Sequence, residues 1–187
     1  MTAPPDSVVD AVLARVDAGP ARLAGGRLLC IDGPAGAGKT TLAEAVLEAR
    51  AGAVVHLDDL LDGWDAPLTG LVTRLVTDVL TPLAAGRAAS YRRYDWVAGA
   101  FAERVPVPPV DLLVVEGVGA GSTAVADHAA AVVWVEAPHD LRRQRGIARD
   151  GDAFAPHWDG WARREAEHFA QERTRERSDL VVSTDGS

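Results

Sequence analysis

The clearest chemical signal in the sequence is an eight-residue, glycine-rich segment: Gly33, Pro34, Ala35, Gly36, Ala37, Gly38, Lys39 and Thr40. Its spacing matches G-x-x-x-x-G-K-[ST], in which backbone N–H groups cradle phosphates, the lysine reaches the β- and γ-phosphates and the hydroxyl binds Mg²⁺. The chain has one lysine beside 18 arginines, and that lysine is Lys39. We therefore predict that this segment, with the following Thr41, binds ATP, that Lys39 is catalytic and that Thr40 is a ligand of Mg²⁺.

Carboxylates follow two apolar runs of the chain. Asp58 and Asp59 come after residues 53–57, and Glu116 comes after residues 110–115. A carboxylate at such a position can take the proton of an acceptor hydroxyl or hold a metal-bound water. We predict Asp58 as the catalytic base, with a water-mediated metal contact as a second role and Asp59 as the alternative base. Glu116 is predicted to bind Mg²⁺, directly or through water.

Three arginines are spaced for one helix face. Arg142, Arg145 and Arg149 stand at i, i+3 and i+7, so a helix would carry them on the same side. Such a face could bind phosphate oxygens bidentately, and the alternative is a solvated basic surface. We predict that Arg145 and Arg149 are catalytic and belong to a lid over residues 142–160.

The elements that must position these residues are visible as apolar runs. Five short runs, at 27–32, 53–57, 110–115, 131–135 and 180–182, predict strands, and most are nearly continuous, as in strands buried on both faces. Helical patterns occupy 6–18, 40–50, 68–85, 122–130, 138–149 and 161–177. Alternating strands and helices predict an α/β fold with a doubly wound, five-stranded parallel sheet of the P-loop NTP hydrolase or small kinase type. Residues 88–109 and 150–160 are predicted to be irregular connections.

Length and composition limit the classes of protein. The 187 residues predict one domain, with an N-terminal helix over residues 6–18. A net charge of -8 disfavours nucleic acid as a partner. Neither a signal-peptide pattern near Met1 nor a long apolar span occurs, which disfavours secretion and membrane insertion. Cys30, the single cysteine, is predicted to be a buried thiol, consistent with the cytoplasm.

Other P-loop proteins carry further signatures that this chain lacks. It has no N-K-x-D segment of a Ras-type GTPase and no LSGGQ-like segment of a transporter ATPase. A small kinase remains, which needs Mg²⁺, arginines and a second substrate at the γ-phosphate.

Several segments resemble the uridine kinase-like branch of P-loop nucleoside kinases, which share the nucleotide-monophosphate-kinase core. The matching segments are Leu57-Asp58-Asp59-Leu60, Trp64-Asp65-Ala66-Pro67, Tyr94-Asp95-Trp96 and the pattern of residues 140–150. The resemblance implies an ATP- and Mg²⁺-dependent transfer to a hydroxyl, with Asp58 as base. It also implies that the acceptor, a nucleoside, is bound by Asp65, Tyr94, Asp95, Trp96 and Arg142.

The sequence departs from that family at two acceptor positions. A His and an Arg that follow the Tyr-Asp-aromatic segment correspond here to Gly99 and Phe101, and the second of the paired lid arginines is Gly146. Two alternatives therefore stay open. One is a nucleoside monophosphate kinase, since residues 31–36 resemble cytidylate kinases, and the other is a nucleotide-binding regulatory protein without acceptor activity. The preference for ATP or GTP and the oligomeric state are also open.

Overall fold

A computed structural model describes residues 4–151 and 155–185 of the chain. Its strands are β1 (Arg27–Asp32), β2 (Ala53–His56), β3 (Ala89–Asp95), β4 (Ala100–Val107), β5 (Leu112–Glu116), β6 (Ala131–Glu136) and β7 (Leu180–Ser183). Five of them form one sheet in the order β2-β5-β1-β6-β7, and every pairing in it is parallel. The predicted α/β class and the five-stranded parallel sheet are confirmed.

The helices follow the predicted pattern with changed boundaries. They are α1 (Asp6–Ala18), α2 (Lys39–Ala49), α3 (Leu68–Arg74), α4 (Thr81–Ala84), α5 (Thr123–Ala126), α6 (His139–Asp150), α7 (Trp158–Glu172) and α8 (Thr174–Arg177). A π-helical segment, Leu75–Leu80, joins α3 to α4, and 3₁₀ turns cover Leu57–Leu60 and Ala155–His157. The predicted helix over 161–177 begins earlier and divides at Arg173, whose φ is 51°.

Both faces of the sheet are buried, as the apolar runs predicted. Leu28 and Cys30 of β1 belong to one hydrophobic cluster, and Leu29 and Ile31 belong to the cluster on the other face. Side chains alternate between the two faces of a strand, so one run of apolar residues serves both layers. Cys30 is fully buried, and burial raises the pKa of its thiol.

The connection over residues 88–109 is ordered, which the sequence analysis did not predict. Strands β3 and β4 form an antiparallel hairpin separate from the main sheet. Its turn is held by Asp95, whose Oδ1 accepts the N–H groups of Val97 and Ala98, each at 2.9 Å.

The predicted lid, residues 142–160, spans most of α6, the 3₁₀ turn and the start of α7. Residues 152–154 of that prediction lie outside the described residues. Within the two described ranges, the helices are too short or too polar to cross a membrane.

Candidate active site

The glycine-rich segment forms a loop, residues 33–38, between β1 and α2, where the motif requires it. We call this segment the phosphate loop. Gly33 and Gly36 have φ angles of 139° and 76°, a region that favours glycine. A Cβ on Gly33 would lie 2.0 Å from the Val135 carbonyl oxygen, and one on Gly36 would lie 2.2 Å from that of Arg142. The loop is thus packed closely against β6 and α6, and there is no room for a side chain at Gly33 or Gly36.

Lys39 begins α2, and its side chain folds back over the loop. Its Nζ donates to the carbonyl oxygen of Pro34 at 3.1 Å. The side chain is buried, beside a loop whose N–H groups and helix N-terminus favour anions. The ammonium group is therefore held at the loop, and its binding to phosphate stays a prediction.

Asp32 is a buried carboxylate that the sequence analysis did not assign to the site. Its Oδ1 accepts the N–H groups of Gly33 at 2.7 Å and Gly119 at 3.0 Å, and its Oδ2 accepts that of Gly121 at 2.8 Å. Burial raises its pKa, although these hydrogen bonds and Lys39 act against the rise. Asp32 joins the start of the phosphate loop to the segment after β5.

Glu116 is the last residue of β5, and its side chain lies next to that of Thr40 in the first turn of α2. Its Oε1 accepts a hydrogen bond from Thr40 Oγ1 at 3.2 Å and lies 2.6 Å from His56 Nδ1. Burial acts to raise the pKa of Glu116, but hydrogen bonds from His56 and Thr40 together with the charge of Lys39 lower it overall. The same contact with Glu116 raises the pKa of His56. His56 carried no predicted role.

The pair Thr40 and Glu116 fits the oxygen chemistry of Mg²⁺. A hydroxyl and an ionised carboxylate are hard ligands, and Mg²⁺ at nucleotide sites takes one or two protein oxygens and completes its shell with phosphates and water. Among the described residues, no group of three or more His, Cys, Asp or Glu side chains is placed to hold a metal ion by itself. The residues present therefore suit a metal that arrives with a nucleotide.

Asp58 and Asp59 lie on the 3₁₀ turn after β2, and their surroundings differ. Asp59 Oδ2 accepts a hydrogen bond from the Tyr91 hydroxyl at 2.9 Å. Asp58 is exposed, and its carbonyl oxygen accepts a hydrogen bond from Trp96 Nε1 at 3.2 Å. Asp59 is thus tied to the hairpin through its carboxylate, whereas Asp58 is tied to it through its backbone.

An aromatic cluster covers the side of the molecule next to Asp58. Trp64 stacks on His157 with ring centroids 4.9 Å apart and an interplanar angle of 8°, and the ring centroid of Trp96 lies 4.7 Å from that of Trp64. Tyr94 meets Trp96 edge-on at 5.2 Å. The cluster joins the predicted acceptor residues Tyr94 and Trp96 to the 3₁₀ turn that precedes α7.

Two other predicted acceptor residues have different surroundings. Asp65 pairs with Arg164 of α7 at 3.0 Å, and its side chain is fully exposed. Arg164 also donates to the Trp64 carbonyl oxygen. Asp95 holds the hairpin turn, and the N–H groups of Ala98 and Val97 lower its pKa. The structure therefore shows local structural contacts for both residues.

Arg142 lies at the phosphate loop, whereas the predicted acceptor residues Tyr94 and Trp96 belong to the aromatic cluster. Its Nη1 donates to the Ala35 carbonyl oxygen at 3.1 Å and to Glu165 Oε1 at 3.0 Å. Glu165 Oε2 in turn accepts the Ala35 N–H at 2.8 Å. The physical reason is that α6 starts beside the loop, so its first turn reaches the loop backbone. We call Arg142, Glu165 and Ala35 the loop clamp.

Arg145 continues the same helix face and meets the segment after β7. It donates to Thr184 Oγ1 at 2.9 Å and to the Thr184 carbonyl oxygen at 2.7 Å, while Thr184 Oγ1 donates to the Ala37 carbonyl oxygen at 2.6 Å. Arg149, near the end of α6, is exposed. Arg142 thus contacts the phosphate loop directly and Arg145 contacts it through Thr184, and their catalytic or binding roles, like that of Arg149, stay predictions.

Comparison with solved structures identifies the fold. A possible uridine kinase from Bacillus stearothermophilus is 21% identical, with a TM-score of 0.66 over 95% of this chain and 96% of the other. A candidate fructose transport system kinase from Silicibacter sp. TM1040 is 20% identical, with a TM-score of 0.55 over 94% and 97%. No protein-family model and no curated protein sequence matches the chain. The predicted resemblance to the uridine kinase-like P-loop fold is confirmed.

Proposed function

We propose that the protein is a kinase that transfers the γ-phosphate of ATP to a hydroxyl group of a small molecule, with a nucleoside as the first candidate. One observation carries the proposal: Thr40 Oγ1 and Glu116 Oε1 approach to 3.2 Å beside a closed phosphate loop that holds Lys39. This is the donor half of a phosphoryl-transfer site. The fold likeness to two proteins named as kinases supports it.

On the donor side, the loop N–H groups bind the phosphates and Lys39 moves from the Pro34 carbonyl to the β- and γ-phosphates. Thr40 and Glu116 would hold Mg²⁺, which neutralises charge on the phosphate oxygens when bound. Asp32 and the loop clamp keep the backbone in its cradle shape. Preorganised donors of this kind stabilise charge that develops in the transition state.

On the acceptor side, Asp58 accepts the proton of the attacking hydroxyl. The acceptor oxygen forms a bond to the γ-phosphorus, the bond between that phosphorus and the β,γ-bridging oxygen breaks, and ADP leaves with the electron pair. Trp96, which donates to the Asp58 carbonyl, fixes the turn that presents this carboxylate. Trp64, Trp96 and Tyr94 offer flat surfaces on which a base or ring can stack.

The second candidate is a nucleoside monophosphate kinase, favoured by residues 31–36. Its acceptor carries a phosphate, which demands arginines on the acceptor side. A regulatory protein would bind nucleotide and phosphorylate no acceptor.

A screen of ADP release separates these candidates. Wild-type protein with ATP and Mg²⁺ is offered nucleosides, nucleoside monophosphates and sugars, and Lys39→Ala protein is the matched control. We expect acceptor-dependent ADP release that is strongest with a nucleoside and lost in Lys39→Ala. ADP release with monophosphates alone supports the second candidate, and nucleotide binding without any acceptor-dependent release contradicts the kinase proposal.

A further inference from the structure

Two arginines face each other across the β3–β4 hairpin. Arg92 and Arg104 are directly paired in the strand register, so their side chains leave the same face. Like charges at such a position are destabilising. The guanidinium groups diverge: Arg92 donates to the carbonyl oxygens of Phe101 and Ala102, and Arg104 donates to Ser90.

Arg93, the neighbour of Arg92 in the same strand, has carboxylate partners that neutralise its charge. Arg93 Nε donates to Glu103 Oε1 at 2.6 Å, and Arg93 also lies 3.8 Å from Asp95. By contrast, among the described residues neither Arg92 nor Arg104 has a hydrogen bond or ion pair with a carboxylate. The hairpin therefore pairs Arg93 with a carboxylate and leaves Arg92 and Arg104, opposite each other in the register, without one among the described residues.

The two arginines line a cleft of about 120 Å³ between the hairpin and the helical segment 68–84. A third arginine, Arg74, lines it as well. Phe101 forms part of the wall, and the guanidinium carbons of Arg74 and Arg92 lie 5.2 and 6.0 Å from its ring centroid. Of the described residues that line the cleft, Asp78 is the one carboxylate, and Arg74 pairs with Asp62 at 2.8 Å.

We propose that this cleft binds the oxyanion group, phosphate or carboxylate, of a small molecule. Arginine forks match these groups geometrically, and a bound anion would relieve the repulsion between Arg92 and Arg104. A net charge of -8 on the chain makes a local excess of arginine unexpected without such a role. Residues that break a local rule of pairing often serve a function.

The cleft adjoins the acceptor side of the proposed kinase site. Tyr91 lines the cleft and donates to Asp59, the neighbour of the candidate base Asp58. Anion binding itself does not depend on the kinase proposal. The placement of the anion on the acceptor side rests on the proposed kinase function.

Site-resolved NMR of arginine side chains tests the inference. Protein labelled with ¹⁵N-arginine is titrated with inorganic phosphate at constant ionic strength, and the Nε–Hε resonances are followed. We expect Arg74, Arg92 and Arg104 to shift with one shared dissociation constant while the paired Arg93 stays unchanged. In the double variant Arg92→Gln, Arg104→Gln, phosphate affinity measured at Arg74 should fall at least tenfold, and in Arg93→Gln it should stay within twofold.

Backbone resonances of Gly36 and Lys39 report phosphate or nucleotide at the loop separately, so failure of the kinase proposal is distinguishable from failure at the cleft. Should the double variant not fold, the single variant Arg104→Gln replaces it. The inference is overturned if the three resonances do not shift together, or if the variants bind phosphate as wild type does.

In the kinase assay, phosphate inhibition that competes with the acceptor assigns the oxyanion to the acceptor, and non-competitive inhibition assigns it to a separate effector.

Discussion

Lys39 is a residue whose charge type matters as well as its sign. Its ammonium group sits inside a narrow loop against the Pro34 carbonyl. We expect Lys39→Arg to lower the turnover number at least tenfold, because a planar guanidinium does not fit the space of an ammonium group. Steady-state kinetics with ATP, together with a circular dichroism spectrum, checks this. Nearly full activity in the Lys39→Arg variant would show that the loop needs only a positive charge.

The adjacent Asp58 and Asp59 give a matched pair of variants. Asp59 is held by the Tyr91 hydroxyl, whereas the Asp58 carboxylate is on an exposed residue. We expect Asp58→Asn to lower turnover by roughly 10²-fold or more with unchanged ATP binding, the usual effect of removing a general base. Asp59→Asn should affect turnover less. The reverse order would assign the base to Asp59.

The order of residues along the chain was enough to predict that the glycine-rich loop, Thr40 and Glu116 lie together at strand ends, and their roles towards ATP and Mg²⁺ stay predictions. It could not predict Asp32, His56 or Glu165 as neighbours of the loop. Glu165 is 130 residues from Ala35, the residue whose N–H it accepts. The alternating charges of its helix predicted a solvated surface, and the tertiary contact overrides that pattern.

At the scale of elements, the loop clamp joins α6 and α7 to the phosphate loop. Glu165 is 2% exposed, and burial raises its pKa despite the Ala35 N–H, Lys39 and Arg142. We expect Glu165→Ala to lower the free energy of unfolding by about 3–5 kcal/mol, because it leaves the Arg142 guanidinium, whose side chain is 12% exposed, without its carboxylate partner. Urea unfolding measures this, with Glu167→Ala on the exposed face of α7 as the control. Equal losses in the two variants would argue against the clamp.

A second contact between elements predicts a pH dependence. Arg175 of α8 donates to both carboxylate oxygens of Glu136 at the end of β6, at 2.7 and 3.0 Å. The hydrogen bond from Arg175 lowers the pKa of Glu136, against a smaller opposing effect of burial. Because the pKa of Glu136 is lower in the folded state than its unfolded value of 4.5, the ionised carboxylate stabilises the fold above pH 4.5. This stabilisation is lost as the pH falls through the folded-state pKa of Glu136.

The expected result is a stability difference between wild type and Arg175→Gln that is present at pH 7 and shrinks as the pH falls below about 4. Thermal unfolding at several pH values measures it. Arg163→Gln, an exposed site on α7 with the same charge change, is the control. A difference that stays constant across this range would show that Arg175 acts by packing and not by its charge.

The β3–β4 hairpin shows why one element escaped prediction from sequence. Its strands mix arginines, an aspartate and a proline at 106, and several of their side chains are exposed, so neither continuous nor strictly alternating apolar residues mark them. The order comes from side chains instead: Asp95 holds the turn, Tyr91 bonds to Asp59, and Trp96 bonds to the Asp58 carbonyl. The last two contacts join residues more than 30 positions apart.

For the whole molecule, the five apolar runs were sufficient to predict the parallel sheet because its three central strands, β5, β1 and β6, are buried along nearly their whole length, whereas the edge strand β7 exposes Val181. The candidate site residues lie where the strands end, in the loop after β1, in the turn after β2 and at Glu116, the last residue of β5. This is where ligands bind in open α/β sheets. The identity of the acceptor could not be predicted in this way, because the proposed acceptor side lies at the hairpin and the aromatic cluster, whose contacts depend on the tertiary fold.

We propose that these strand ends carry out phosphoryl transfer to a hydroxyl. The most direct test follows labelled phosphate from [γ-³²P]ATP in wild type, Lys39→Ala and Asp58→Asn, in the presence of Mg²⁺ and the acceptors active in the ADP screen. We expect label in a phosphate monoester of the acceptor with wild type, and little or none with either variant. Label that appears in inorganic phosphate alone, or at equal rates in all three proteins, would contradict it.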